Sequence, residues 1–405
     1  MGTQARVHTA EELFDHKILL LLYQRCISRQ KPWSAISLLK QWLSYFLKKS
    51  YIEGNSADTI FFTSSRREDY LKLFNAVFET CPLPKSRVVW KYKYGINFSF
   101  LFLWFSRLYL FKFTKQIRFS SETDPFFLNK KISFRNRLFI YTHCIALKTF
   151  EKVINAINFE RAQSVVVLSD TLYPERYFIK RAKSFGIKTV TLCHGIYNPN
   201  IDIKQESFLN YWNIDCDYVL SWGEGTSNLF KKYSPKAIPI ECGYPLVKII
   251  PSENFSQKIG VVLSVHHLRD QNQAMVNIVQ RYAIENHYKV FLRVHPGDKN
   301  GNYTFDKTIC QLTSDLNDTD IIICHTSAML FTYLAQGKKV LKFRGTVSTY
   351  KVDERICFGS LEELSSIIPI ISTIDFMAIS RKEVCCIGEE SLLRYKHFFL
   401  TLKKN

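Results

Sequence analysis

Arg293-Val-His295-Pro296 and, some thirty residues on, Cys324-His-Thr326-Ser327-Ala-Met-Leu-Phe-Thr-Tyr-Leu-Ala-Gln-Gly337-Lys338-Lys-Val340 are the stretches that decide the fold. Each follows a short apolar run, Val290 to Val294 and Ile321 to Ile323, rich in β-branched residues and bounded by polar ones. That is the pattern of strands buried on both faces of a parallel sheet. Thr326-Ser327 falls where a strand ends and a helix over Ser327 to Gln336 is predicted. Its hydroxyls and the free N–H groups of the first turn are therefore placed to meet an anion. Gly337 closes that helix before the next strand, Val340 to Phe343. Two successive phosphate-facing loops of one nucleotide-binding half are expected, with His295, Pro296, Thr326 and Ser327 in them.

Working outward, strand and helix signals alternate on both sides of this segment. In the second half the series reads strand Ile259 to Leu263, helix Gln271 to Asn286, strand Val290 to Val294, strand Ile321 to Cys324, helix, and strand Val340 to Phe343. In the first half, after a helical region over Ala10 to Lys49, come strand Asp58 to Thr63, helix Arg66 to Thr80 and strand Val88 to Lys91. A basic, aromatic-rich stretch to about Arg137 interrupts it. The alternation then resumes with strand Ser164 to Leu168, helix Pro174 to Phe185, strand Thr189 to Leu192, strand Tyr218 to Ser221, helix Gly225 to Tyr233 and strand Ile238 to Glu241. Such alternation predicts an α/β protein of βα units and parallel sheets. The polar run after Gly243-Tyr244-Pro245 has no periodicity and reads as a linker. The expected plan is an acceptor domain over residues 1–245, a linker at 246–257, and a nucleotide-binding domain over 258–405 whose last helix crosses back. Two Rossmann-like domains then face a cleft at the carboxyl ends of their strands.

Length and composition agree with this plan. A chain of 405 residues holds two cores, and 46% hydrophobic with 22% charged residues is a globular mixture. The formal net charge of +19 calls for a polyanionic partner: nucleic acid, an anionic membrane face, or phosphorylated and acidic sugars. Nucleic acid has charge alone in its favour, since no zinc finger or RNA-binding motif is present. The 11 cysteines contain no Cys-x-x-Cys, and the adjacent Cys385-Cys386 cannot alone hold a tetrahedral metal. Read as reduced buried thiols, with no signal peptide over Met1 to Leu19, they point to the cytoplasm. No run reaches the roughly 20 apolar residues that span a bilayer. Ile96 to Phe113, aromatic and flanked by Lys91, Lys93, Lys115 and Arg118, reads either as a helix lying in an acidic headgroup layer or as a buried amphipathic helix.

Several other strand ends carry chemistry. In Leu192-Cys193-His194-Gly195 an imidazole stands beside a glycine that permits close approach, a placement suited to a base, though a structural loop histidine has the same signature. Leu168-Ser169-Asp170-Thr-Leu-Tyr-Pro-Glu175 puts two carboxylates at another strand end, where Asp170 reads as a base, as a group that orients one, or as an N-cap. Ser264-Val-His266-His267-Leu-Arg269 offers His266 and Arg269 to a phosphate. No Walker lysine motif and no Gly-x-Gly-x-x-Gly fingerprint is present, which argues against an ATPase or a dehydrogenase.

The order His194-Gly195, Gly243-Tyr244-Pro245, His295-Pro296, Thr326-Ser327, then Leu334 and Gly337-Lys338, resembles the GT-B glycosyltransferases of bacterial capsule and lipopolysaccharide assembly. It is most similar to the group of Kdo transferases, bacterial sialyltransferases and teichoic acid glycerophosphotransferases. The resemblance covers about Val165 to Arg344. It implies donor-nucleotide binding by His295, Thr326 and Ser327, with Gly243 at the same crevice. It implies a base at His194 by likeness to the glycerophosphotransferases, or at Asp170 or Glu175 by likeness to the sialyl and Kdo enzymes. Two departures weigh against a glycerophosphate donor and against a UDP-sugar held through a ribose carboxylate. Phe331 and Thr332 stand where an acidic residue is often found, and Cys324 replaces the aspartate that opens the loop. The expected activity is an inverting, metal-independent transfer from a nucleotide-sugar, a CMP-sugar favoured, to a surface glycan or lipid-linked glycan. No cofactor beyond that co-substrate and no nucleic acid is expected, and the site of action is cytoplasmic, at the inner membrane face if lipid is contacted. A catalytically silent glycan- or membrane-binding partner and a glycerophosphotransferase-like enzyme are the alternatives.

Overall fold

The computed structural model describes residues 22, 34–53, 57–94, 96–106, 133–155, 157–199, 206–247, 256–264, 268–295, 298, 303–346 and 350–402. Two sheets organise them. The first holds β1 (Lys48–Glu53), β2 (Thr59–Thr63), β3 (Lys85–Tyr94), β4 (Ser164–Val167), β5 (Lys188–Leu192), β6 (Tyr218–Ser221) and β7 (Ile238–Glu241), in the order β1-β3-β2-β4-β5-β6-β7. The second holds β8 (Lys258–Val262), β9 (Lys289–Arg293), β10 (Cys310–Leu312), β11 (Ile321–Cys324), β12 (Lys339–Phe343) and β13 (Cys357–Phe358), in the order β10-β9-β8-β11-β12-β13. The helices are α1 (Ala35–Phe46), α2 (Glu68–Thr80), α3 (Phe98–Ser106), α4 (Phe134–Ile154), α5 (Tyr173–Lys183), α6 (Glu224–Tyr233), α7 (Arg269–Glu285), α8 (Met329–Ala335), α9 (Leu361–Ile367), α10 (Phe376–Ser380) and α11 (Gly388–Leu402).

Every strand pairing is parallel except that of β1 with β3. The central strands explain why. Ser-Val-Val-Val in β4 and Ile-Ile-Ile-Cys in β11 are buried at all four positions, as strands covered by helices on both faces must be. This is the two-domain α/β architecture of the GT-B plan expected from the sequence. In each sheet the strand order reverses once, between β2 and β4 in the first and between β8 and β11 in the second. Loops leaving adjacent strands diverge there, which opens a crevice at the carboxyl ends.

Local expectations are corrected in two places. The N-terminal helix stops at Phe46, and Lys48–Glu53 pairs antiparallel with a β3 that runs well beyond Val88 to Lys91, because tertiary pairing outweighs the helix-compatible residues there. The helix after Thr326-Ser327 starts at Met329 and is two turns long, since Ser327 Oγ accepts the Met329 N–H at 3.2 Å and holds the preceding backbone in a turn. Ten cysteines are described, all free, and all but the half-buried Cys385 are buried.

The chain returns to the first domain at its end. Tyr244 N donates to Cys386 O at 2.9 Å and Gly388 N to Tyr244 O at 3.1 Å, while Cys385 N donates to Trp222 O at 2.9 Å. Gly243 has φ +79°, and a Cβ there would stand 2.2 Å from the Cys386 carbonyl oxygen, so both its handedness and its bareness are used. Beyond this crossover α11 lies on the first domain, with Phe399 5.8 Å from Phe61 and Phe398 5.5 Å from Tyr218, centroid to centroid.

Candidate functional site

The second-domain crevice is built from three segments. Ser264 follows β8, Thr326-Ser327 follows β11, and their hydroxyls meet: Ser264 Oγ and Thr326 Oγ1 are 2.5 Å apart. Ser264 is buried, whereas Thr326 and Ser327 are half-exposed. The Ser264 backbone is fixed from below. Its N–H donates to Asn272 Oδ1 and its carbonyl accepts from Asn272 Nδ2, both at 3.0 Å. Asn272 Nδ2 also reaches Tyr303 Oη at 3.0 Å, and Tyr303 donates to Asp298 Oδ2 at 2.7 Å. These groups are buried, so the satisfied network holds the loop rigidly. Arg269, first residue of α7, is exposed and its guanidinium lies 5.8 Å from the Tyr303 ring centre. His295 is exposed at the end of β9, and its carbonyl accepts from Asp298 N at 2.8 Å. His266 and Pro296 lie outside the described residues.

His325, between Cys324 and Thr326, was not singled out from the sequence. It is 1% exposed, and among the described residues neither ring nitrogen has a hydrogen-bond partner. Burial, with Lys342 nearby, pushes its pKa down to about 4. Gly345 accommodates it, since a Cβ there would stand 2.0 Å from both His325 Nε2 and Gln271 Oε1. Gln271 in turn ties down the loop after β12, accepting Thr346 N–H at 3.1 Å.

In the first domain His194 follows β5 and is half-buried among aromatic rings, 4.8 Å from Tyr70 and 5.5 Å from Tyr197. Its Nδ1 lies 3.2 Å from Tyr197 Oη. Desolvation first, then the Arg67 guanidinium, push the imidazole down to about 4, against a weaker opposing pull from Asp69. Arg67 is held by Asp69 at 2.6 Å and lies over the Tyr70 ring at 3.9 Å.

The two carboxylates proposed beside it are committed elsewhere. Asp170 is 1% exposed, pairs with the buried Arg176 at 3.2 Å, and accepts the Asp215 N–H. It does not cap α5, whose N-cap is Leu172. Glu175 is wholly buried at the first domain's reversal point, accepting from Ser64 N, Ser64 Oγ and Thr63 Oγ1 at 2.5, 2.7 and 3.2 Å. Burial raises its pKa to about 7 against these hydrogen bonds. Gly243 belongs to the crossover and not to the phosphate loops, by the contacts given above.

The metal-independent expectation leaned on the lack of an Asp-x-Asp motif, and this is corrected: the chain holds two such triplets, Asp215-Cys-Asp217 and Asp318-Thr-Asp320. Asp215 faces Arg176 at 3.5 Å, and Asp217 accepts from Thr189 N at 2.8 Å and from Lys183 at 3.1 Å. Asp320 accepts Ser256 N and Lys258 N, each at 2.9 Å, and Asp318 is exposed. Three of these four carboxylates thus fasten loops. Among the described residues no group of three or more His, Cys, Asp or Glu side chains is placed to hold a metal ion.

No family model matches the chain, and no curated protein matches it in sequence. Among solved structures it is similar to the UDP-GlcNAc 2-epimerase of Methanocaldococcus jannaschii in complex with UDP-GlcNAc and UDP, at 12% identity over 65% of this chain and 82% of that one, with a TM-score of 0.44. It is similar to the UDP-N-acetylglucosamine 2-epimerase of Rickettsia bellii at 10% identity over 85% and 95% of the two chains, TM-score 0.46. It is similar to the pneumococcal O-GlcNAc transferase GtfA, in complex with UDP and GlcNAc, at 9% identity over 64% and 60%, TM-score 0.40. These likenesses are loose, and the site stands on its own geometry.

One residue joins the two halves of that geometry. Tyr350, in the segment between β12 and β13, donates its hydroxyl to Ile196 O at 3.0 Å, in the turn that carries His194 and Gly195. Its ring stands edge-on to Phe331 of α8, centroids 5.3 Å apart and planes at 87°. The helix after Thr326-Ser327 is thereby linked, through one buried side chain, to the His194 loop.

Proposed function

We propose that this protein is an inverting glycosyltransferase that takes a nucleotide-sugar, a CMP-sugar favoured, and transfers the sugar to a bacterial surface glycan of the capsule or lipopolysaccharide kind. The observation that carries the reading is the braced hydroxyl pair, Ser264 and Thr326, at the second domain's reversal point, where open α/β sheets bind their ligands. Thr326, Ser327 and His295 contact the leaving nucleotide phosphate, and Arg269 adds charge at the rim. His194 is the base. In the tautomer with Nδ1–H donating to Tyr197 Oη, its Nε2 carries a free lone pair. The acceptor oxygen loses its proton to Nε2 and attacks the anomeric carbon from the side opposite the nucleotide, while the anionic leaving group is stabilised by hydroxyl and imidazole donors. Asp170 and Glu175 serve as anchors of the same domain.

The test is a thermal-shift series with CMP, CDP, UDP, GDP and ADP on the wild type and on Thr326→Ala/Ser327→Ala. One nucleotide is expected to raise the melting temperature of the wild type and not of the variant, by mass action on the folded state. Absence of any shift removes the donor site, and a shift retained in the variant moves it elsewhere.

A further inference from the structure

One corner of the first domain is built unlike the rest. Helices α1 and α3 pack through a shared inner seam, Trp42 lying 6.1 Å from both Phe100 and Trp104 and Tyr45 5.8 Å from Phe100. Asn97 pins their ends, its N–H donating to Phe46 O at 2.7 Å while its side chain caps α3 through Phe100 N at 3.0 Å. The outward faces, however, are apolar. On α3, Phe98, Phe102 and Phe105 are 71%, 68% and 57% exposed, at the spacing of one helical stripe. On α1, Ile36, Leu39, Leu43 and Leu47 form a second exposed stripe, and Phe134 at the start of α4 is also exposed. Scattered surface apolar residues need no explanation, whereas two contiguous rows on neighbouring helices do.

Charge identifies what covers them. Leaving out Lys85 and Arg87, which face α2, the segments 34–53, 89–106 and 133–155 that build this corner contain nine lysines and arginines against two acidic residues, an excess of seven out of the chain's net +19. A second protein surface is served by apolar contact alone, but apolar rows within so basic a surround match the two signals of a membrane interface, acyl boundary and anionic headgroups. At nine residues α3 is far too short to span a bilayer, and no described helix is long and apolar enough to do so. We infer that the exposed faces of α1 and α3 are a docking surface for an anionic lipid bilayer, with the phenylalanines of α3 inserted at the headgroup–acyl boundary and the surrounding lysines and arginines against the lipid phosphates. The inference deepens the transferase reading by making the acceptor a lipid-borne one, yet it stands on its own surface.

Vesicle co-sedimentation of the full chain tests it, with phosphatidylcholine vesicles alone and with about one third phosphatidylglycerol. Binding is expected only with the anionic lipid, weakening at least tenfold as salt rises from about 0.1 M to 1 M and the screening length falls from ~10 to ~3 Å. Phe98→Ser/Phe102→Ser/Phe105→Ser lowers affinity on the order of tenfold or more by removing the inserted rings, while Ile370→Ser, an exposed apolar control on the other domain, leaves it unchanged. The nucleotide-induced thermal shift is measured on each variant, so a misfolded variant or a failed donor assignment is recognised separately. Equal binding by the triple variant, equal binding to neutral vesicles, or no binding by the wild type overturns the inference. So does self-association of the wild type that the triple variant abolishes without any vesicle binding, which assigns the face to a second copy of the chain.

Discussion

Removing the Tyr350 hydroxyl isolates a bond that, among the described residues, ties the helix after Thr326-Ser327 to the His194 turn. Tyr350→Phe keeps the ring, hence the edge-on contact with Phe331, and deletes the 3.0 Å hydrogen bond to Ile196 O. Tyr350 is 9% exposed, so water cannot replace the lost donor easily and the Ile196 carbonyl bears a desolvation cost. A buried hydrogen bond broken on one side costs about 1–3 kcal/mol, which is a factor of ~5 to ~150 in a local opening equilibrium. Burial raises the Tyr350 pKa far above the usual tyrosine value, so the donor proton is present at any pH at which the protein is handled. Hydrogen exchange read on a peptide spanning Cys193 to Asn198 reports the effect directly. Exchange there is expected to accelerate within that range, while peptides from β8 and β11 keep their protection. Transfer activity should fall chiefly through kcat, because the base is displaced while the donor loop is intact. An exchange rate within twofold of wild type would refute the coupling, and equal acceleration in β8 would mean that the residue serves general stability.

The remaining predictions separate anchoring from chemistry. His194 and His325 are held near pKa 4, below the ordinary 6.5, so between those values the unfolded chain binds more protons and stability falls on acidification from about 6.5 towards 4. His325→Gln should flatten that slope in denaturant melts across the window. Glu175, raised from 4.5 to about 7, acts with the opposite sign, its contribution being lost as pH rises through 7. Glu175→Gln should therefore gain stability relative to wild type at pH 8 compared with pH 5. Asp170→Asn removes the buried carboxylate from the Arg176 pair, leaving the guanidinium the half-buried Asp215 at 3.5 Å and the Asn213 carbonyl at 3.3 Å, and should destabilise by up to about 3–5 kcal/mol; a variant that melts like wild type but has lost turnover would make Asp170 catalytic after all. Gly243→Ala forces a side chain into φ +79° and against the Cys386 carbonyl. It should cost ~1–2 kcal/mol from handedness alone, and an unchanged melting temperature would show that the crossover gives way freely.

The sequence made the parallel strands legible because burial on both faces demands uninterrupted β-branched runs, and Val165 to Val167 and Ile321 to Ile323 have no other ready use. It made Thr326-Ser327 legible because the strand-to-helix break is local. What it hid was every feature decided by distant pairing. Lys48–Glu53 becomes a strand only because β3 is there to pair with it. Asp170 looks like a base until Arg176, in the first turn of α5, and the Asp215 amide close on it. Asn272 is one polar residue in a helical pattern, and nothing nearby marks it as the brace of Ser264. Tyr350 has no local signature, since its role depends on a carbonyl 154 residues away. The Asp-x-Asp triplets show the converse: a local pattern with a familiar chemical meaning, spent here largely on tying loops.

The two reversal points explain why one fold repeated gives two different halves. In the first sheet the space between the loops of β2 and β4 is occupied by the Glu175 carboxyl, bonded to Thr63 and Ser64 and wholly buried. That crevice is filled from within, and the proposed base stands one strand over, at His194 after β5. In the second sheet the equivalent space between β8 and β11 is bounded by hydroxyls whose backbone is braced from beneath by Asn272, with Thr326 and Ser327 half-exposed. A satisfied network under an incompletely covered polar surface is what pre-organised binding requires, since the loop need not be ordered when the ligand arrives. On the proposed reading the division follows from which reversal point carries an inward carboxyl: one half keeps its crevice for the nucleotide, and the other closes its own and presents the base. The Tyr350 hydrogen bond links the helix after Thr326-Ser327 to the turn that carries His194.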